Sequence, residues 1–133
     1  MSIFDSIKSI FNNNTVDEDY LQWRRLSTFS DVKKLNDASH SKFQLIYKHS
    51  TRCATSYFAL KNLQNFPEEK LQKLDLYIID VISQRQLSHE ISEYFKVRHE
   101  SPQVIILKDG QLIWNASHGD VRTEVILKAI NLN

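Results

Sequence analysis

The 133-residue chain holds one cysteine, one methionine, two glycines and two prolines. A single thiol closes no internal disulfide. With no C-x-x-C pair and no Cys/His cluster at ligand spacing, a disulfide framework or a structural zinc site is also ruled out as an expectation. No apolar run approaches the ~20 residues of a membrane span. The opening MSIFDSIKSIFNNN carries Asp5 where a signal peptide needs an unbroken apolar stretch and a small-residue cleavage pattern. Charge of one sign is scarce as well: 17 Lys+Arg against 16 Asp+Glu leave +1, no field for nucleic acid or an anionic membrane. These absences predict a cytoplasmic protein with reduced thiols, with neither nucleic acid nor membrane as partner. A monomer is compatible with the balanced charge.

What is present suffices for one folded domain, since a chain of this length buries about two thirds of its unfolded surface. Ile3, Phe4, Ile7, Ile10 and Phe11 form the stripe of an amphipathic helix, and Asp17-Glu18-Asp19 follows as a solvated linker. The expected division is therefore 1–19, helix and acidic linker, and 20–133, the folded domain. Trp23 and Leu26 suit a short strand or an anchoring loop. Ser30 and Asp31 suit the start of a short helix over 30–40.

FQLIY at 43–47 reads as a buried strand, and the helical spacing over 52–65, with Pro67 beyond it, as the helix that follows. LDLYIIDVI at 74–82 is nearly continuous in apolar character, as in a strand covered on both faces. Ser83 and Gln86 suggest a capping box opening a helix through Leu87, Ile91, Tyr94 and Phe95. QVIILK (103–108) and QLIWNA (111–116) are joined by Asp109-Gly110, a favoured two-residue hairpin turn. A last helix is expected from about Asp120, as its cap, to Ile130. The order predicts an α/β fold, a mixed central sheet of about four to five strands with helices on both sides.

Cys53 stands where a strand gives way to a helix. A lone cysteine is commonly a small buried hydrophobe. At this position, however, first-turn amides and the positive helix end face the sulfur and favour thiolate, the attacking species. Lys48 and Arg52 add positive charge nearby, and Ser50, Thr51 and Thr55 make the segment polar. The second feature is Ser101-Pro102, directly before a strand, where a proline is tolerated because its missing donor falls outside the ladder.

KHSTRCATS after FQLIY, HESPQVIILKDGQLIW around the proline and ASHGD before the last helix resemble the thioredoxin superfamily. More closely they resemble its monothiol bacilliredoxin branch, over roughly residues 20 to 131. The resemblance implies a thioredoxin-like fold, a cis bond at Ser101-Pro102 and Cys53 as the redox-active residue. Dithiol relatives have a second cysteine three residues on, where this chain has Ser56, so the implied chemistry is monothiol exchange. Relatives commonly have a proline where Ala54 stands.

The implied reaction removes bacillithiol, or a similar low-molecular-weight thiol, from S-thiolated proteins through transient mixed disulfides, with that thiol as cosubstrate and no permanently bound cofactor or metal. Ser101 and Pro102 are expected to offer a backbone edge to the substrate, and Ser117, His118 and Gly119 to hold a carboxylate at a helix start. Lys48, Thr51, Arg52 and Ser56 complete the candidate thiol-binding set. His49 and His99 flank the two loops as structural hydrogen bonders. The rival readings are a monothiol protein that shares an iron-sulfur cluster between subunits, against which the CATS turn differs from CGFS, and an adaptor in which Cys53 is incidental.

Overall fold

The computed structural model describes residues 23–64 and 66–132. The expected N-terminal helix and the 1–19 boundary lie outside them. In chain order the elements are β1 (Trp23–Arg25), α1 (Phe29–Ala38), β2 (Phe43–His49), α2 (Ala54–Leu63), a 3-10 turn (Glu68–Gln72), β3 (Leu74–Asp80), α3 (Arg85–Phe95), β4 (Gln103–Lys108), β5 (Gln111–Ser117), a second 3-10 turn (His118–Asp120) and α4 (Thr123–Ala129). The five strands lie in the order β1-β3-β2-β4-β5. β1 and β2 run parallel to β3, whereas β4 is antiparallel to both β2 and β5. No described helix is long and apolar enough to cross a membrane.

Strand alternation divides the core in two. Leu45, Tyr47, Leu76, Ile78, Val104 and Ile106 face Leu60, Leu63, Ile126 and Leu127 on one side. Ile46, Ile79, Ile105 and Leu107 meet Val32, Leu35, Leu87 and Ile91 on the other. Helices α2 and α4 thus cover one face, and α1 and α3 the other. The central strands β2 and β4 are buried almost end to end, which is why they read as apolar runs.

The Asp109-Gly110 hairpin forms as expected, with both residues at positive φ, 54° and 78°. A Cβ on Gly110 would approach the exposed His40 ring to 3.2 Å, a contact that a small shift of the ring relieves, so it is the positive φ that calls for glycine.

Three helix starts differ from the sequence reading. The cap of α1 is Thr28 rather than Ser30, in a reciprocal box with Asp31. No Ser83/Gln86 box opens α3. Instead Asp80, ending β3, accepts from the Ser83 hydroxyl (2.7 Å) and from the amides of Ile82 and Ser83, forming a turn that delays the helix to Arg85. Helix α4 begins at Thr123, not Asp120, because His118–Asp120 form a separate 3-10 turn. The Thr123 amide donates to Asn62 Oδ1 of α2 at 2.8 Å, so its cap comes from another helix.

Candidate thiol site

Strand register brings the sequence-predicted segments to one end of the sheet. His49, the last residue of β2, pairs with Asp80. Lys48 pairs with Gln103 of β4, and Gln103 with Ser117 of β5. The Cys53 turn, the Ser101-Pro102 loop and the Ser117–Gly119 turn therefore leave adjacent strands at the same edge. The Ser101-Pro102 peptide is cis. The Pro102 carbonyl accepts the His118 amide at 3.0 Å, tying the last two loops together.

Cys53 is the residue before the first turn of α2, with extended backbone (φ −119°, ψ 120°), and its side chain is partly exposed. It makes no cap bond of the ordinary oxygen type. Burial pushes the thiol up, but backbone and side-chain groups of Ser56, then of Thr55, outweigh it and bring the thiol below its usual value. The Ser56 hydroxyl is fully buried, has no oxygen or nitrogen partner among the described residues, and is among the groups that favour the thiolate. The arrangement supplies a reachable sulfur with stabilised negative charge, the requirement for thiol exchange.

The other candidates separate. Arg52 is exposed on the turn and Thr51 is half-buried. Lys48 is completely buried and points away from the turn, to the α3 side of the sheet. Its Nζ lies 2.8 Å from the Ser88 carbonyl, 2.6 Å from Ser92 Oγ and 3.2 Å from His99 Nδ1. Its placement is that of a brace between β2 and α3. Sequence alone names the cation and not its direction. Only alternation along β2 decides it, and alternation sends Tyr47 and His49 to the α2 side instead.

Ser117, His118 and Gly119 do not form a helix start, since α4 begins later and the His118 amide is already taken. His118 sits at φ 57° and is exposed with Gly119. Both border an open cleft of about 240 Å³ between α2 and this turn, together with Thr55, Phe58, Asn62 and Arg122. Phe58, 63% exposed, is the most exposed large apolar side chain described, and helical spacing alone does not single it out. Among the described residues, no group of three or more His, Cys, Asp or Glu is placed to hold a metal ion.

Residues 24–126 match a family described as the monothiol bacilliredoxin BrxC. Among solved structures, a protein with a thioredoxin fold, provisionally assigned as an oxidoreductase, superposes with a TM-score of 0.73 at 27% identity, over 84% of this chain and 96% of that one. Mitochondrial thioredoxin 3 of Saccharomyces cerevisiae, oxidised, gives 0.61 at 17% identity over 86% and 98%. Fasciola hepatica thioredoxin gives 0.63 at 16% over 81% and 96%. The last two show fold alone. The architecture is thioredoxin-like, as the sequence resemblance implies.

Proposed function

Because the chain belongs to the monothiol bacilliredoxin family and carries a thioredoxin-like fold built for thiol redox chemistry, we propose that Cys53 removes bacillithiol from S-thiolated proteins. The observation that carries this reading is a partly exposed sulfur whose negative charge is favoured by Ser56 and Thr55, with Ser56 where a resolving cysteine would stand.

The Cys53 thiolate attacks the bacillithiol sulfur of the mixed disulfide. One S–S bond forms as the other breaks, and the protein thiolate leaves and takes up a proton. Bacillithiol remains on Cys53 as a new mixed disulfide. A second thiolate then attacks that bacillithiol sulfur, giving a low-molecular-weight disulfide and the free Cys53 thiolate. No net oxidation of the enzyme occurs. Ser56 cannot replace the second thiol, so the adduct persists until one arrives.

In this reading Ser101 and Pro102 offer the backbone edge for the substrate chain, and Ser117, His118 and Gly119, with Arg52 and Thr51, border the thiol's polar end. The expected setting is a reducing compartment such as the cytoplasm, with the chain acting as a monomer.

The test is intact mass after incubation with oxidised bacillithiol. Wild type is expected to gain one bacillithiol and Cys53→Ala none, and only wild type is expected to release bacillithiol from a thiolated test protein. An unmodified wild type would sink the mechanism.

A further inference from the structure

Beneath the Cys53 turn lie two side chains that the exchange reaction leaves unused. Tyr47 and His49, two residues apart on β2, share its α2 side and are both completely buried. Tyr47 Oη is 2.8 Å from the Ser56 carbonyl oxygen and 2.9 Å from His49 Nδ1. A phenol has one proton and a carbonyl only accepts, so Tyr47 donates to Ser56. His49 Nδ1 must then carry the proton that it gives to the phenol oxygen. This fixes the imidazole as the neutral Nδ1–H tautomer. Burial holds His49 at about 4, against the opposing pull of Asp80, and keeps it neutral across the working range.

The chain of donors continues into the site. The Ser56–Tyr57 peptide receives the Tyr47 proton at its oxygen and gives its own N–H to the Cys53 carbonyl at 3.1 Å. Linked hydrogen bonds of this kind polarise one another. Ser56 is also the residue whose amide and hydroxyl favour the thiolate. Anchoring its carbonyl anchors those donors.

We propose that Tyr47 and His49 are positioning residues for Cys53, holding the Ser56 corner of α2 so that its donors stay aimed at the sulfur. This rests on Cys53 being the exchanging thiol. The titratable neighbours of the pair are Asp80, whose charge acts on His49, and Cys53, whose charge acts on Tyr47. Trp23 closes the apolar side, its ring centroid 6.0 Å from that of Tyr47, and Lys48 faces the other way.

The experiment is the pH dependence of Cys53 alkylation by iodoacetamide in wild type and Tyr47→Phe. The variant's midpoint is expected to rise and its rate at pH 7 to fall about threefold to tenfold, the share of one net hydrogen bond. Its high-pH plateau should be equal or up to about twofold higher, since nucleophilicity follows basicity. An unchanged midpoint would overturn the proposal. Wild type supplies a second readout should the variant not fold: the Tyr47 Cζ carbon signal is expected to inflect at the Cys53 midpoint and to lose that inflection in Cys53→Ser. A flat Tyr47 signal in wild type would equally refute it. Because alkylation needs no bacillithiol, a shifted midpoint alongside absent bacillithiol exchange would break the functional reading and leave the positioning role standing.

Discussion

Tyr47, Lys48 and His49 are consecutive, yet the pleat of β2 sends the lysine to one side of the sheet and its neighbours to the other. Each side has a buried polar cluster, and the two differ in charge. Under α2, next to the candidate thiol, His49 and Tyr47 are neutral and donate in series, His49 to the phenol oxygen and Tyr47 to a backbone carbonyl. Under α3, the Lys48 ammonium meets three acceptors, Ser88 O, Ser92 Oγ and His99 Nδ1, one for each of its N–H groups. Burial lowers Lys48 to about 8, which leaves it charged at pH 7. The lysine's charge is thus kept on the sheet face away from the sulfur, where it ties α3 to the segment leading into the cis peptide. The thiolate is served by dipoles instead.

The strongest way to break this contrast is to empty the charged side. Lys48→Ala removes a buried stem and strands three acceptors, for an expected loss of roughly 3 kcal/mol in urea unfolding. Lys48→Met refills the space without the desolvation cost, and should lie within about 1 kcal/mol of wild type. Wild type should also gain stability as pH rises from about 8 towards 10.5, because there the unfolded chain holds a proton that the folded lysine has released. The methionine variant should lack that arm. Neither variant should move the Cys53 alkylation midpoint. If Lys48→Met moves it, the two sides are coupled and the comparison fails.

The neutral side has an acid arm. His49 ionises at 6.5 in the unfolded chain but is held to about 4 in the fold. Between those values the unfolded state binds the extra proton, so stability falls as pH falls through the window. From pH 6.5 to 5 the expected loss is on the order of 2 kcal/mol. His99, lowered by burial and then by the charges of Lys48, His89 and Arg85, acts in the same direction. Urea unfolding at the two pH values should show a flatter dependence in His49→Phe than in Lys48→Met. Equal slopes would mean that His49 is not the neutral group the geometry requires.

The sequence was legible where one residue type answers one physical demand. Continuous apolar runs gave β2, β3 and β4, and Asp109-Gly110 gave the hairpin because the turn needs two positive φ values. Cys53 at a strand-to-helix junction pointed to the thiol, and the motif around it to the family. The direction of Lys48 was not legible from charge and proximity, since Ser88 and Ser92 of α3, 40 and 44 residues along the chain, come beside it only after the sheet has formed. Ser56 was legible as a missing cysteine but not as a donor anchored by Tyr47, because that contact spans a strand, a turn and a helix. The start of α4 was illegible because its capping group, Asn62, lies 61 residues away, whereas Thr28 and Asp80 act within three residues and were displaced in the reading by equally good local candidates.

Asn62 gives the smallest expected effect and the most local one. Its Oδ1 accepts the Thr123 amide at 2.8 Å and its carbonyl accepts the Thr123 hydroxyl at 3.1 Å, a two-bond clasp, donated wholly by Thr123, between the last turn of α2 and the first of α4. Asn62→Ala should cost about 1 kcal/mol, as for loss of a side-chain cap, and speed hydrogen exchange at the Thr123 amide. Asn62→Asp keeps the acceptor and adds negative charge at a helix start, so it should restore most of that loss. Both polar clusters of β2 lie elsewhere, and the Cys53 alkylation midpoint should stay at its wild-type value in both variants. A midpoint that moved with Asn62→Ala would mean that α2 is held at its thiol end by its far end as well, and that Tyr47 and His49 share the task with α4.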